Sequence, residues 1–124
     1  MEKSQNISQG SSVNLPELLS RLDNDRELLH DLLTIFKDDF PGHLQALQEA
    51  VARQDMKQTA VVSHTLKGML SNLAVTRAAA AAAQLEQFAH DGANASLQQA
   101  LAAFEQEVQG LLPEMETYMA EVQR

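Results

Sequence analysis

Between Leu97 and Val122 apolar residues recur at Leu97, Leu101, Phe104, Val108, Leu111, Met115, Tyr118 and Val122, in alternating steps of four and three. An α-helix places such positions on one side, because its turn of about 3.6 residues nearly matches that repeat. A strand would need alternation at every second residue, and none persists for more than a few residues anywhere in the chain. A helix with one apolar seam must bury it against other elements, here other helices. Pro113 lies within the seam without changing its phase, which predicts a bend near Gln109-Gly110 and not a termination.

The other segments agree with a helical bundle. Asn14 is placed as a helix cap, with Pro16 in the first turn and Glu17 in capping-box position, for a short helix ending near Leu22. "DND" (Asp23 to Asp25) reads as a turn that caps the next helix. That helix carries Leu29, Leu32, Leu33, Phe36 and Phe40, and the pattern resumes after Pro41-Gly42 with Leu44, Leu47 and Val51. The preserved spacing predicts a kinked continuation. Asp55 with Gln58 opens a further helix reaching about Leu73, and Thr76 is placed as the cap of the one after it. That helix contains six successive alanines, Ala78 to Ala83, then Leu85 and Phe88, and Gly92 ends it. The expected fold is all-α: an antiparallel four-helix bundle over residues 14–124 with a short extra N-terminal helix. Residues 1–13, polar and rich in Ser and Gln, read as a disordered tail or linker.

At 124 residues the chain is about one domain. It contains no cysteine, which excludes disulfides, thiolate metal sites and cysteine nucleophiles. That usage fits a reducing, cytoplasmic setting. A net charge of −8 argues against nucleic-acid binding, and no apolar run suits a membrane span. The N-terminus lacks the apolar core of a signal peptide, and no phosphate-cradling glycine loop is present. The charge is uneven: Met56 to Leu85 holds three basic residues, Lys57, Lys67 and Arg77, and no acidic one.

Within that positive strip lies "SHTLKGMLSNLAV", Ser63 to Val75. At about 100° per residue, Lys57, Lys67, Gly68 and Ser71 fall within about 60° of His64. Val62, Leu66, Met69, Leu70 and Leu73 cluster on the opposite side. A lone histidine is more often a core residue, but this core face is complete without His64, so the imidazole is expected to point outward. Gly68 costs a mid-helix position about 1 kcal/mol relative to alanine. It opens space one turn from the ring. Lys67 supplies a cation beside it, which favours the neutral, nucleophilic imidazole and suits an anion held there. The triplet fits a histidine that accepts a phosphoryl group.

"HTLKG" in this context resembles the phosphoacceptor signature of histidine-containing phosphotransfer (HPt) domains. "NDRELLHDLLTIFKDDFPGHLQALQEAVARQD" is similar to the two helical stretches that precede that signature, and "QLEQFAHDG" to the stretch ending the following helix. The resemblance runs from Leu15 to Tyr118. It implies that His64 is the phosphorylated residue, that Lys67 offsets phosphoryl charge, and that Gly68 leaves room. It implies partners as well: response-regulator receiver domains and a hybrid sensor histidine kinase, met through a surface that includes Lys57, Val61 and Ser71. No cofactor or metal belongs to this chain under that resemblance, because the magnesium ion belongs to the receiver. The chain is expected to act as a monomeric phosphocarrier without ATP-dependent activity. A polar side chain from the next helix often bonds the histidine in this family, and Gln84 and Gln87 are the candidates. The chain departs from the family at Met69 and Leu70, where small residues are common, and near Ala74, where glycine is common.

Three rivals are weighed against this reading. The phosphoacceptor domain of a chemotaxis-type kinase carries a similar signature and is phosphorylated in trans. A helical interaction module would leave the histidine unused. A di-iron carboxylate bundle would need two Glu-x-x-His pairs, and only Glu27 with His30 has that spacing; Glu86 and His90 are four apart. His43 and His90 are read as surface residues.

Overall fold

A computed structural model describes residues 12–122, apart from the side chain of Val122. The described residues form six helices and no strand: α1 (Leu15–Arg21), α2 (Arg26–Ala52), α3 (Met56–Asn72), α4 (Thr76–His90), α5 (Asn94–Val108) and α6 (Leu111–Val122). Helix α2 packs on α3, α5 and α6, α3 on α4, and α4 on α5; the α3–α4 contact is the most extensive. α1 lies against α2. One core of leucines and phenylalanines joins these helices, with Leu29, Leu33, Leu66, Leu70, Leu85, Leu97 and Phe104 fully buried.

The caps form for local chemical reasons. Asn14, Asp25 and Asp55 each accept a bond from the backbone N–H three residues on, at 3.2, 3.0 and 3.0 Å, which satisfies one orphan donor of each helix. The C-termini of α1 to α4 share one device. A residue with positive φ follows the cap (Asp23, Gln54, Ala74 and Gly92), and two backbone N–H groups fold back onto the last turn. Gly92 takes this conformation freely; Ala74, at φ 59°, takes it with a Cβ, at the point where glycine was expected from the family.

Three expectations change. The start of α4 lies one residue earlier than predicted. Val75 is the N-cap and offers no side-chain bond, while Thr76 is already helical. The preceding turn buries Val75 completely and so brings the chain into the helix sooner. The C-terminal seam is carried by two helices and not by one bent helix: Gln109 and Gly110 interrupt it, and α6 restarts with Glu114 N–H bonding Gly110 O at 3.1 Å. Glycine weakens the helix there, and Pro113 falls in the first turn of α6, where its missing N–H leaves no bond unmade. Gln109 keeps helical angles (φ −59°, ψ −37°), so the phase survives and Leu111 and Met115 are buried as the seam requires. Helix α2 continues through Pro41 as one helix, as the preserved spacing predicts. Of the tail expected over residues 1–13, all but Ser12 and Val13 lies outside the described residues. Val13 is 4% exposed and packs in the core, so packing begins earlier than expected.

The bundle is closed by polar ties at its surface. Lys37 meets Glu116 at 3.3 Å between α2 and α6, Gln48 bonds Glu105 at 2.8 Å between α2 and α5, and Arg77 meets Glu107 at 2.9 Å between α4 and α5. The Tyr118 hydroxyl donates to Glu114 at 2.9 Å; burial first, and then that carboxylate, push the phenol up to about 12.

Candidate functional site

Helix α3 turns Val62, Leu66 and Leu70 into the core, and the opposite phase carries His64 outward. The imidazole is 68% exposed. A Cβ placed on Gly68 would meet no atom within 4 Å, so the space beside the ring is open. Lys57 and Val61 lie on the same side of α3, and Val61 is an exposed large apolar residue.

Helix α4 completes the site with a residue that was not among the predicted ligands. Glu86 Oε2 lies 3.0 Å from His64 Nδ1, and Glu86 Oε1 lies 3.0 Å from Lys67 Nζ. One half-buried carboxylate thus bridges both predicted residues. The Lys67 hydrogen bond is the main cause that holds the Glu86 carboxyl below its ordinary value; the His64 bond adds to it, against the opposing effect of burial. Glu86 is therefore an ionised acceptor, and a carboxylate without a proton can only accept. Nδ1 of His64 must then carry the hydrogen, which leaves Nε2 of the neutral ring as the nitrogen with a free lone pair.

The expected bond from Gln84 or Gln87 is replaced by this one. Leu85 and Ala89 point into the core, and Glu86 sits at the edge of that face beside α3. Gln84 and Gln87 are exposed, and Gln87 bonds Asp91 on its own helix at 3.1 Å. The cation expected beside the imidazole is there, and the Glu86 carboxylate stands between the two. The sequence signal for Glu86 was its place inside the "QLEQFAHDG" stretch, one residue past the end of the acid-free strip.

One shallow hollow borders the ring, and a second adjoins the first through Ala60, Val61 and His90. The first, of about 360 Å³, is lined by Ala60, Val61, His64, Thr65, Glu86 and His90. The second, of about 310 Å³, is lined by Met56, Lys57, Ala60, Val61, Ala89 and His90. Ser71 lines neither; its carbonyl accepts a bond from Arg21 of α1 at 3.0 Å. His90, read from sequence as an ordinary surface residue, is 61% exposed but holds Nε2 3.7 Å from Glu86 Oε2. Among the described residues no cluster is arranged to hold a metal ion, and no helix is long and apolar enough to cross a membrane.

Fold and site together define an all-helical domain that presents an exposed, carboxylate-bonded imidazole on one helix. A family model for the Hpt domain matches residues 31–123, and the chain belongs to that family. Its members take part in histidine phosphotransfer in phosphorelays, as phosphocarriers and not kinases. The match begins within α2, so α1 lies outside it. No curated protein and no solved structure matches the chain.

Proposed function

We propose that this chain is a phosphorelay intermediate whose His64 accepts a phosphoryl group from a receiver-domain aspartate and passes it to another receiver. The observation that carries the reading is the exposed ring with Nδ1–H held by an ionised Glu86, which aims an electron pair on Nε2 into solvent. Nε2 attacks the phosphorus of the aspartyl phosphate in line. The bond between phosphorus and the aspartate oxygen breaks, and the carboxylate leaves with the electron pair. The ring keeps its Nδ1 proton and becomes positive, and Glu86 offsets that charge. Lys67, one of whose N–H groups is on Glu86 Oε1, has further donors to turn toward the phosphoryl oxygens. Gly68 leaves the approach open. Return of the phosphoryl group to a second receiver reverses the same steps.

The finer reading of the fold is an antiparallel four-helix arrangement of α2, α3, α4 and the α5–α6 pair, with α1 as the extra N-terminal helix. The three-residue connections after α2, α3 and α4 support it, because short links make consecutive helices antiparallel neighbours. Receiver docking falls on the α3–α4 face, where Val61 and the apolar floor of the hollows meet Lys57. The domain is read as a cytoplasmic monomer whose upstream donor is a hybrid sensor histidine kinase.

The test is incubation with a phosphorylated receiver. His64→Gln is expected to abolish acid-labile, base-stable labelling while circular dichroism remains unchanged. Labelling that persists in the variant sinks the assignment. Labelling only by a kinase domain with ATP, and not by a receiver, would instead support the chemotaxis-type reading.

A further inference from the structure

Two imidazoles converge on one carboxylate oxygen. His64 Nδ1 stands 3.0 Å from Glu86 Oε2, and His90 Nε2 stands 3.7 Å from that same atom. The first distance is a hydrogen bond; the second is too long for one but within reach of an ion pair. Both rings are mostly exposed and free to adjust, whereas Glu86 is anchored on its other oxygen by Lys67. His90 closes α4 one turn after Glu86 and lines both hollows beside the phosphoacceptor. The groups around it are Lys57 and His64 on α3 and Glu86 and Asp91 on its own side, with Asp91 held by Gln87; no residue of α5 lines either hollow.

We infer that His90 is a positioning residue for phosphotransfer, acting through Glu86: once protonated, it competes with His64 for Oε2 and makes the acceptor ring less ready. The inference rests on the reading of His64 as the phosphoacceptor. A carboxylate already shared with Lys67 has less charge to offer His64 Nδ1–H when a second cation approaches the same oxygen. The ring loses electron density, and Nε2 becomes a poorer nucleophile. Histidine is the side chain whose ordinary range covers this change between about pH 5 and 8. No proton has to move between residues; only the sharing of Oε2 changes.

The experiment compares the pH dependence of transfer from a phosphorylated receiver in wild type, His90→Gln and His90→Lys. All three proteins keep His64, Lys67 and Glu86, so differences between their profiles report on position 90. With each rate taken relative to the same protein's rate near pH 8, His90→Gln is expected to transfer about threefold faster than wild type near pH 6, the scale of an exposed ion pair. His90→Lys, charged throughout, is expected to remain slow at both. Superimposable profiles for wild type and His90→Gln would overturn the inference. A second readout needs no phosphate: the ¹⁵N resonances of the His64 ring should show, beside the inflection of the ring's own protonation, a second inflection in wild type that is missing in His90→Gln. If that second inflection is present while no variant transfers phosphate, the coupling stands and the phosphocarrier reading fails. If the ring of His64 titrates identically in both proteins, the coupling is absent.

Discussion

The α3–α4 face and the α2–α6 face of this bundle are held by different means. On the α2 side, Phe36 and Phe40 stack with ring centroids 4.9 Å apart, Phe104 and Met115 are fully buried nearby in the core, and the polar ties are single pairs such as Lys37–Glu116. On the α3–α4 side, short buried residues dominate α4 (Ala78, Ala79, Ala82), and α3 buries Ala60 and Ser63 beside Val62, Leu66 and Leu70. The rim there holds one carboxylate that serves His64 and Lys67 together, with His90 in reach. Large side chains give stability through buried volume, but they keep helix backbones apart. Small ones bring backbones close, so that a glutamate on α4 reaches two residues of α3. The first face makes the fold, and the second arranges charge around a nucleophile.

The largest expected effect breaks the comparison on the α2 side. Phe104→Ala should cost about 3–5 kcal/mol in a denaturant melt, while the transfer rate per folded molecule stays as it was. Lys37→Ala, an exposed pair on the same face, should cost at most about 1 kcal/mol. Equal losses in the two would mean that volume is not what holds this side.

Glu86→Gln attacks the other face. Transfer should slow about tenfold, the scale of one lost charge-assisted hydrogen bond, with little change in fold. The pH dependence has a definite sign. The Glu86 carboxyl lies below its ordinary value of 4.5 when folded. Its contribution is present above that value and disappears as pH falls through the lower folded one. The stability gap between wild type and variant should therefore close in acid, which thermal melts across pH would record.

Gly68→Ala separates folding from function at one position. Nothing obstructs the added methyl, so the helix should gain about 1 kcal/mol. Transfer should nonetheless slow if the open space receives the phosphoryl group or the partner. A variant that is both more stable and equally fast would remove Gly68 from the site. Ser63→Ala is the smallest change. The Ser63 hydroxyl is fully buried without a hydrogen-bond partner. Its removal should stabilise the protein by about 1 kcal/mol, read as a shift in melting midpoint.

Much of this architecture was legible from residues alone. Asn14, Asp25 and Asp55 mark helix starts because their side chains bond nearby backbone, a strictly local event. The seam from Leu97 to Tyr118 was visible because bulky apolar residues alternate with polar ones. Its division at Gln109-Gly110 was not, since a bend and a two-residue gap keep the same phase. The "HTLKG" stretch placed His64 outward for the same periodic reason.

The amino-acid sequence by itself determined that the chain is helical and that His64, Lys67 and Gly68 share an outward face, because Val62, Leu66 and Leu70 of α3 form a core face on the other side. Only the tertiary structure decided that Glu86, and not Gln84 or Gln87, meets the imidazole, and that His90 shares its oxygen. Six alanines in a row give α4 no distinct apolar side, so its rotation cannot be read from periodicity. It is set when α4 packs against α3 and α5, by contacts far apart in the chain.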